Sequence, residues 1–212
     1  MRIFSKILPA MVPLVFLAQA ALAGDGIYER DLVRGFWALK GDYRIMKSNG
    51  IKLINTVTGE NFSRKYADGH VEIGAEYNEL RTWFDVNFMP ITPTKNNTEW
   101  FSYGITWMWG YKLLPQNTII NIIPAIGPGF DLLNIRMNPT EEVMSSFGPS
   151  LNLELELRLQ FSRFSAGFYG GYKVERHDWD DFIDINTDKA FVGFKISWTM
   201  LNNFQKRERE ME

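Results

Sequence analysis

The chain has no cysteine. That excludes disulfides, thiolate metal ligands, a thiol nucleophile and a lipid-anchored cysteine behind an export leader. After residue 23 no apolar run approaches the length of about 18 residues that a spanning helix needs. Charge of one sign is also missing. The net charge is −2, with no basic excess of the kind that marks a nucleic-acid footprint. Histidine is scarce, at two residues, His70 and His177. What is plentiful is aromatic side chains, at 15% of residues, together with 17 glycines.

Residues 1–23 have the form of a cleaved secretory signal. Arg2 and Lys6 make a basic start, Ile7–Leu22 is the apolar core, and Ala21-Leu22-Ala23 supplies the small-x-small cleavage pattern. Pro9 and Pro13 inside the apolar run argue against a retained membrane helix. Residues 24–33 are a short periplasmic lead-in and 201–212 a charged periplasmic tail, leaving 34–200 for the fold.

The most regular stretch is Ser150–Phe161, SLNLELELRLQF. Leu151, Leu153, Leu155, Leu157, Leu159 and Phe161 alternate with Asn152, Glu154, Glu156, Arg158 and Gln160. A period of two predicts a strand with one apolar and one charged face. Seven more strands follow the same rule, at 34–45, 70–77, 80–88, 100–113, 118–130, 164–175 and 190–200. The connections alternate long and short: 46–69, 78–79, 89–99, 114–117, 131–148, 162–163 and 176–188. Within the first, Ile51–Val57 and Asn61–Tyr66 predict a small hairpin around Thr58-Gly59-Glu60.

Aromatics on the apolar faces gather at both strand ends. Tyr77, Trp109, Tyr111, Phe161, Phe164 and Trp198 lie near the short turns, and Tyr43, Phe88, Phe101, Tyr103, Phe130 and Tyr172 near the long connections. Two such rings suit the two interfaces of a bilayer. The opposite faces carry seven acids (Asp42, Glu72, Glu76, Asp85, Glu154, Glu156, Glu175) and seven bases (Lys40, Arg44, Arg81, Lys112, Arg158, Lys173, Lys195). The lumen of an eight-stranded barrel holds only side chains, and charges there must pair because desolvating a lone one is expensive. Gly74, Gly104, Gly110, Gly167, Gly171 and Gly193 on the same face leave room for them. The expected fold is therefore all-β: an eight-stranded, antiparallel, up-and-down transmembrane barrel with short periplasmic turns and long extracellular loops.

On these residues the chain resembles the small eight-stranded outer-membrane barrels of the OmpA, OmpX and OmpW type over about 34–200, by architecture and without a diagnostic motif. The resemblance implies export to the outer membrane of a Gram-negative cell and assembly by the barrel-assembly machinery. It also implies contact with outer-membrane lipids including lipopolysaccharide, and a monomeric, porin-like shape without a porin's wide channel. Such barrels often end on an aromatic of the last strand. Phe194, Ile196 and Trp198 fit that strand, but the chain runs on to Glu212.

Three functions are compatible with this reading. The first is a non-enzymatic barrel with a closed or very narrow polar lumen and a structural or surface-recognition role. The second is lateral passage of small apolar compounds. Pro124 and Pro128 in the fifth strand and Pro149 opening the sixth lack N–H donors, which predicts either a structural bulge or a weakened seam between those strands. The third is a lipid-modifying enzyme, with His177 as base, Asp178 or Asp180 orienting it and Ser102 as nucleophile. No local motif surrounds these residues, and two loop-end histidines without a role are the plainer alternative. The aspartates 178, 180, 181, 184 and 188 lack the spacing of a calcium loop. No cofactor and no metal site is expected.

Overall fold

In this computed structural model the structure describes residues 33–46, 50, 52, 55, 64–77, 79–88, 98–114, 119–137, 142–179 and 183–200. The leader at 1–23, the tail at 201–212, and most of the lead-in lie outside the described residues. So do most of the first connection and the aspartates 180 and 181.

The strands are β1 (Val33–Met46), β2 (Lys65–Tyr77), β3 (Leu80–Phe88), β4 (Thr98–Tyr111), β5 (Ile120–Met137), β6 (Glu142–Phe161), β7 (Phe164–Trp179), β8 (Ile183–Asn186) and β9 (Lys189–Thr199). Each pairs antiparallel with its sequence neighbour from β2 through β7, and β1 lies beside β2. β9 pairs with β7 on one side and β1 on the other, so the sheet closes. β8 is not an extra stave. Arg176↔Asn186 continues the β7–β9 register of Lys173↔Lys189, and Thr187 N–H donates to Glu175 O at 3.2 Å between them. β8 and β9 are one ribbon, and the barrel has eight.

Inside and outside alternate along each strand with the period of two. Leu151, Leu153, Leu155, Leu157, Leu159 and Phe161 are 40–55% exposed, whereas Asn152, Glu154, Glu156 and Arg158 are 2–4% exposed. The apolar face is outside and the charged face inside, the reverse of a water-soluble sandwich. Trp37, Tyr43, Phe88, Tyr103, Trp109, Tyr111 and Trp198 are exposed on the same outer surface, as interface girdles require.

Three expectations need correction. The connection at 131–148 is mostly strand: β5 and β6 pair through Met137↔Glu142, making a tall hairpin. The connection at 176–188 likewise contains the end of β7 and β8. In the first connection, Gly50, Lys52 and Asn55 have helical backbone where an extended arm is expected, and the rest of Ile51–Val57 lies outside the described residues. A side chain added at Gly50 would run into the Asn186 carbonyl and the Thr187 backbone, so this helical piece rests on the β8–β9 corner.

At the short-turn end the β6–β7 turn has two residues. Phe161 pairs with Phe164, and Ser162 takes a left-handed φ of 57°. Gln160 Nε2 donates to Ser162 O at 2.6 Å and secures the turn.

Candidate functional site in the barrel lumen

Because side chains alternate across each strand, every second residue delivers its polar group into a space only side chains can fill. Twelve of the fourteen expected lumen charges are buried there, and Glu76 and Lys112 are half-buried at the short-turn mouth. They form two linked hubs. In the lower hub, Lys40 Nζ lies 3.0 Å from Glu72, 2.7 Å from Asp85 and 2.8 Å from Glu154. Lys195 Nζ reaches Glu72 at 3.1 Å, Glu154 at 3.3 Å and Glu156 at 2.8 Å. Arg81 donates to Glu156 at 3.1 Å. Arg158 donates to Glu76 at 2.8 Å, and Lys112 donates to the other oxygen of Glu76.

The upper hub contains residues that strand limits drawn from sequence left out. Arg44 grips Asp42 with Nε at 2.7 Å and Nη2 at 3.0 Å, and Asp68 lies 3.3 Å from Arg44 Nε. His70 Nδ1 is 2.8 Å from Asp85 and Nε2 is 2.6 Å from Arg44 Nη2. Nε2 also lies 3.1 Å from Asp42, so the ring touches a carboxylate of each hub as well as Arg44. His70 is therefore a buried link between the hubs rather than an idle loop histidine. Beside it, Lys173 binds Asp131 at 2.7 Å and Lys189 binds Glu175 at 2.8 Å. Asp68, Asp131 and Lys189 were missed because β2, β5 and β9 run further than their alternation of apolar and polar residues suggested. Parity carried two residues beyond His70 and Phe191 would have found the first and last.

Aromatics insulate the network. The Arg81 guanidinium lies 3.7 Å over the Phe36 ring. Phe36, Trp83, Met108 and Ala125 form an apolar cluster nearer the short turns. Towards the loops, Tyr66 meets Trp100 edge to face at 5.2 Å, and both are buried.

The structure does not assemble the proposed catalytic set. His177 is buried, not exposed, and neither ring nitrogen has a hydrogen-bond partner; the same is true of Ser102 Oγ. No nucleophile–base hydrogen bond exists between them. The side chain of Asp178 lies outside the described ones. Two triads of possible metal ligands do converge, Asp42–Asp68–His70 and Glu72–Asp85–Glu154. Each already surrounds a cation of the chain: Arg44 in the first, Lys40 in the second.

The prolines also fall differently from expectation. β5 and β6 pair without interruption from Ile120↔Leu159 to Met137↔Glu142. In an antiparallel ladder, alternate residues direct their N–H and C=O groups to opposite neighbours. Leu113 N–H donates to Ile122 O and Gln160 N–H to Ile119 O, so even-numbered β5 residues face β4. The donors missing at Pro124 and Pro128 therefore belong to the β4 side, where the ladder skips Trp107 and Met108 against Gly127 and Pro128. By the same parity Pro149 faces β7, just past the last β6–β7 pair, Ser150↔Glu175. The β5–β6 seam lacks none of the three donors.

The chain superposes on solved structures of small surface barrels. Neisserial surface protein A aligns with a TM-score of 0.54 at 11% identity, covering 77% of this chain and 96% of that one. The chain has the fold of the small eight-stranded outer-membrane barrels. The attachment invasion locus protein Ail of Yersinia pestis gives 0.48 at 10% identity, over 78% of this chain and 99% of that one. The N-terminal barrel of Pseudomonas aeruginosa OprF gives 0.46 at 6%, over 77% and 97%. At such identities the likeness is one of fold. No protein-family model matches the chain, and no curated protein matches it in sequence.

Proposed function

We propose that the protein is an integral barrel of a bacterial outer membrane, closed to bulk flow, that serves as a rigid mount for its extracellular end. The observation that carries this reading is the pairing of an outer surface of exposed leucines and aromatics with a lumen whose charges are spent on one another. Lipid suits the first, and the second leaves no polar passage for solute. The long connections and the tall β5–β6 hairpin supply the recognition surface, and lipopolysaccharide and phospholipid the surroundings. Export by the leader at 1–23 and insertion by the assembly machinery belong to the same proposal.

The unbroken β5–β6 ladder argues against lateral passage at that seam, and the absence of a hydrogen bond between Ser102 and His177 argues against acyl chemistry. The test is reconstitution in planar bilayers beside a heat-modifiability gel. The reading predicts a folded form that migrates apart from the boiled form, with no stepwise conductance. Regular channel openings of the folded protein would overturn the closed lumen.

A further inference from the structure

The short-turn mouth holds a cavity of about 450 Å³ lined by Arg34, Glu76, Lys112, Asn121, Arg158 and Gln160, among others. It lies where β1 begins and where β2, β4 and β6 end, so its charges come from four separate ribbons. Its lining has three cations and one carboxylate, and that carboxylate is committed. One oxygen of Glu76 accepts from Lys112, and the other accepts from Arg158 Nη1 at 2.8 Å. The next carboxylate inward, Glu156, is no freer. It serves Arg81 at 3.1 Å, Lys195 at 2.8 Å and Arg158 Nε at 3.2 Å.

Arg158 is the telling residue. Its side chain is 4% exposed, yet Nη2 has no hydrogen-bond partner. Buried guanidinium groups ordinarily fill their donor capacity, because an unmet charged donor has lost water and gained nothing. The remaining polar groups are used to hold the rim. Asn121 Nδ2 donates to Leu114 O at 2.9 Å, and Gln160 Nε2 donates to Ser162 O. The cavity is thus cationic on balance, with the Arg158 guanidinium held in its wall by β6.

We infer that this mouth binds a phosphate-type oxyanion, with the Arg158 guanidinium as the inner cation and Arg34 and Lys112 as the outer ones. Guanidinium donors suit such oxygens geometrically, and the volume lies in the range of small-ligand sites. Two sources share this chemistry: a free phosphate ester, or the headgroup of an anionic phospholipid in the adjacent leaflet. The inference rests on the proposed membrane orientation only for naming which side the mouth faces.

The experiment uses the full mature barrel in detergent. Inorganic phosphate and glycerol phosphate are titrated calorimetrically, and phosphatidylglycerol and phosphatidylcholine are offered in bicelles and scored by native mass spectrometry. The expected result is saturable binding of phosphate or its ester, or retention of phosphatidylglycerol over phosphatidylcholine. The first assigns a soluble ligand and the second a headgroup. The double variant Arg34→Gln/Lys112→Gln should weaken binding at least tenfold while the heat-modifiability shift persists. Arg176→Gln, at the opposite end, should leave binding unchanged. Absence of binding in both arms, or equal weakening by Arg176→Gln, would overturn the site without touching the barrel itself.

Discussion

Replacing Lys40 by methionine tests the lumen where it is most tightly knit. Its ammonium, 1% exposed, touches three carboxylates, on Glu72, Asp85 and Glu154. The carboxylate oxygens facing it lie within 4.8 Å of one another. Without the cation, each like-charge pair at that spacing costs about 3 kcal/mol at an effective dielectric of about 20. Lys195 still neutralises Glu72 and Glu154, so the strain falls mainly on Asp85, whose other partner is His70. The net loss should be about 3–5 kcal/mol, the usual consequence of orphaning one member of a buried ion pair. Adding Asp85→Asn keeps an oxygen for His70 and removes the stranded charge, so the double variant should recover about 1–3 kcal/mol of that loss. Reversible urea unfolding of the barrel in lipid or detergent measures all three. If the double variant loses the sum of the two single losses, the carboxylates are not coupled through Lys40 and the network argument fails.

Four further outcomes follow from the same packing. Arg176→Gln should cost less than about 1 kcal/mol by urea unfolding, because its 2.6 Å bond to Asp188 is solvent-exposed. Gly104→Ala should sharply lower the yield of heat-modifiable protein, since its methyl would overlap the Asp131 carboxylate and the Asn87 side-chain oxygen that both serve Lys173. Ser162→Gly should stabilise the barrel by up to about 1 kcal/mol, a left-handed φ being free of strain only for glycine. In hydrogen exchange, residues 120–130 should be protected as strongly at amides facing β6 as residues 151–160, with faster exchange at Trp107, whose amide faces Pro128 across the gap in the β4–β5 ladder.

The fold was legible wherever a strand separates two solvents. In β3 the limits read from sequence, 80–88, coincide with the observed Leu80–Phe88, because short turns bound it on one side and prolines follow on the other. The same alternation named the fourteen lumen charges, since each lies opposite an outward apolar residue. Legibility stopped where the outer solvent changes. Above the Phe130–Phe147 stack at 5.3 Å, β5 continues as Asp131-Leu132-Leu133-Asn134-Ile135 with Leu133, Asn134 and Ile135 all buried. There the two faces no longer differ in polarity, so no period of two announces the strand. Asp131, Asp68 and Lys189 sit in such extensions. His177 was misread for the same reason: the sequence around it is polar, and only pairing with β8 buries it. The prolines were placed in the right strands but assigned to the wrong neighbours, because the direction of a backbone donor depends on register, which no single sequence states.

The central claim is that the leucine face of β6 meets hydrocarbon while its charged face is sealed inside. Because the chain has no native cysteine, single nitroxide labels can be placed without background at each position from Leu153 to Arg158 in vesicle-reconstituted barrels. The decisive measurement is their collision with oxygen against an aqueous nickel chelate. The account predicts high oxygen and low nickel accessibility at Leu153, Leu155 and Leu157, and low values for both reagents at Glu154, Glu156 and Arg158. Nickel access at the three leucines would contradict it.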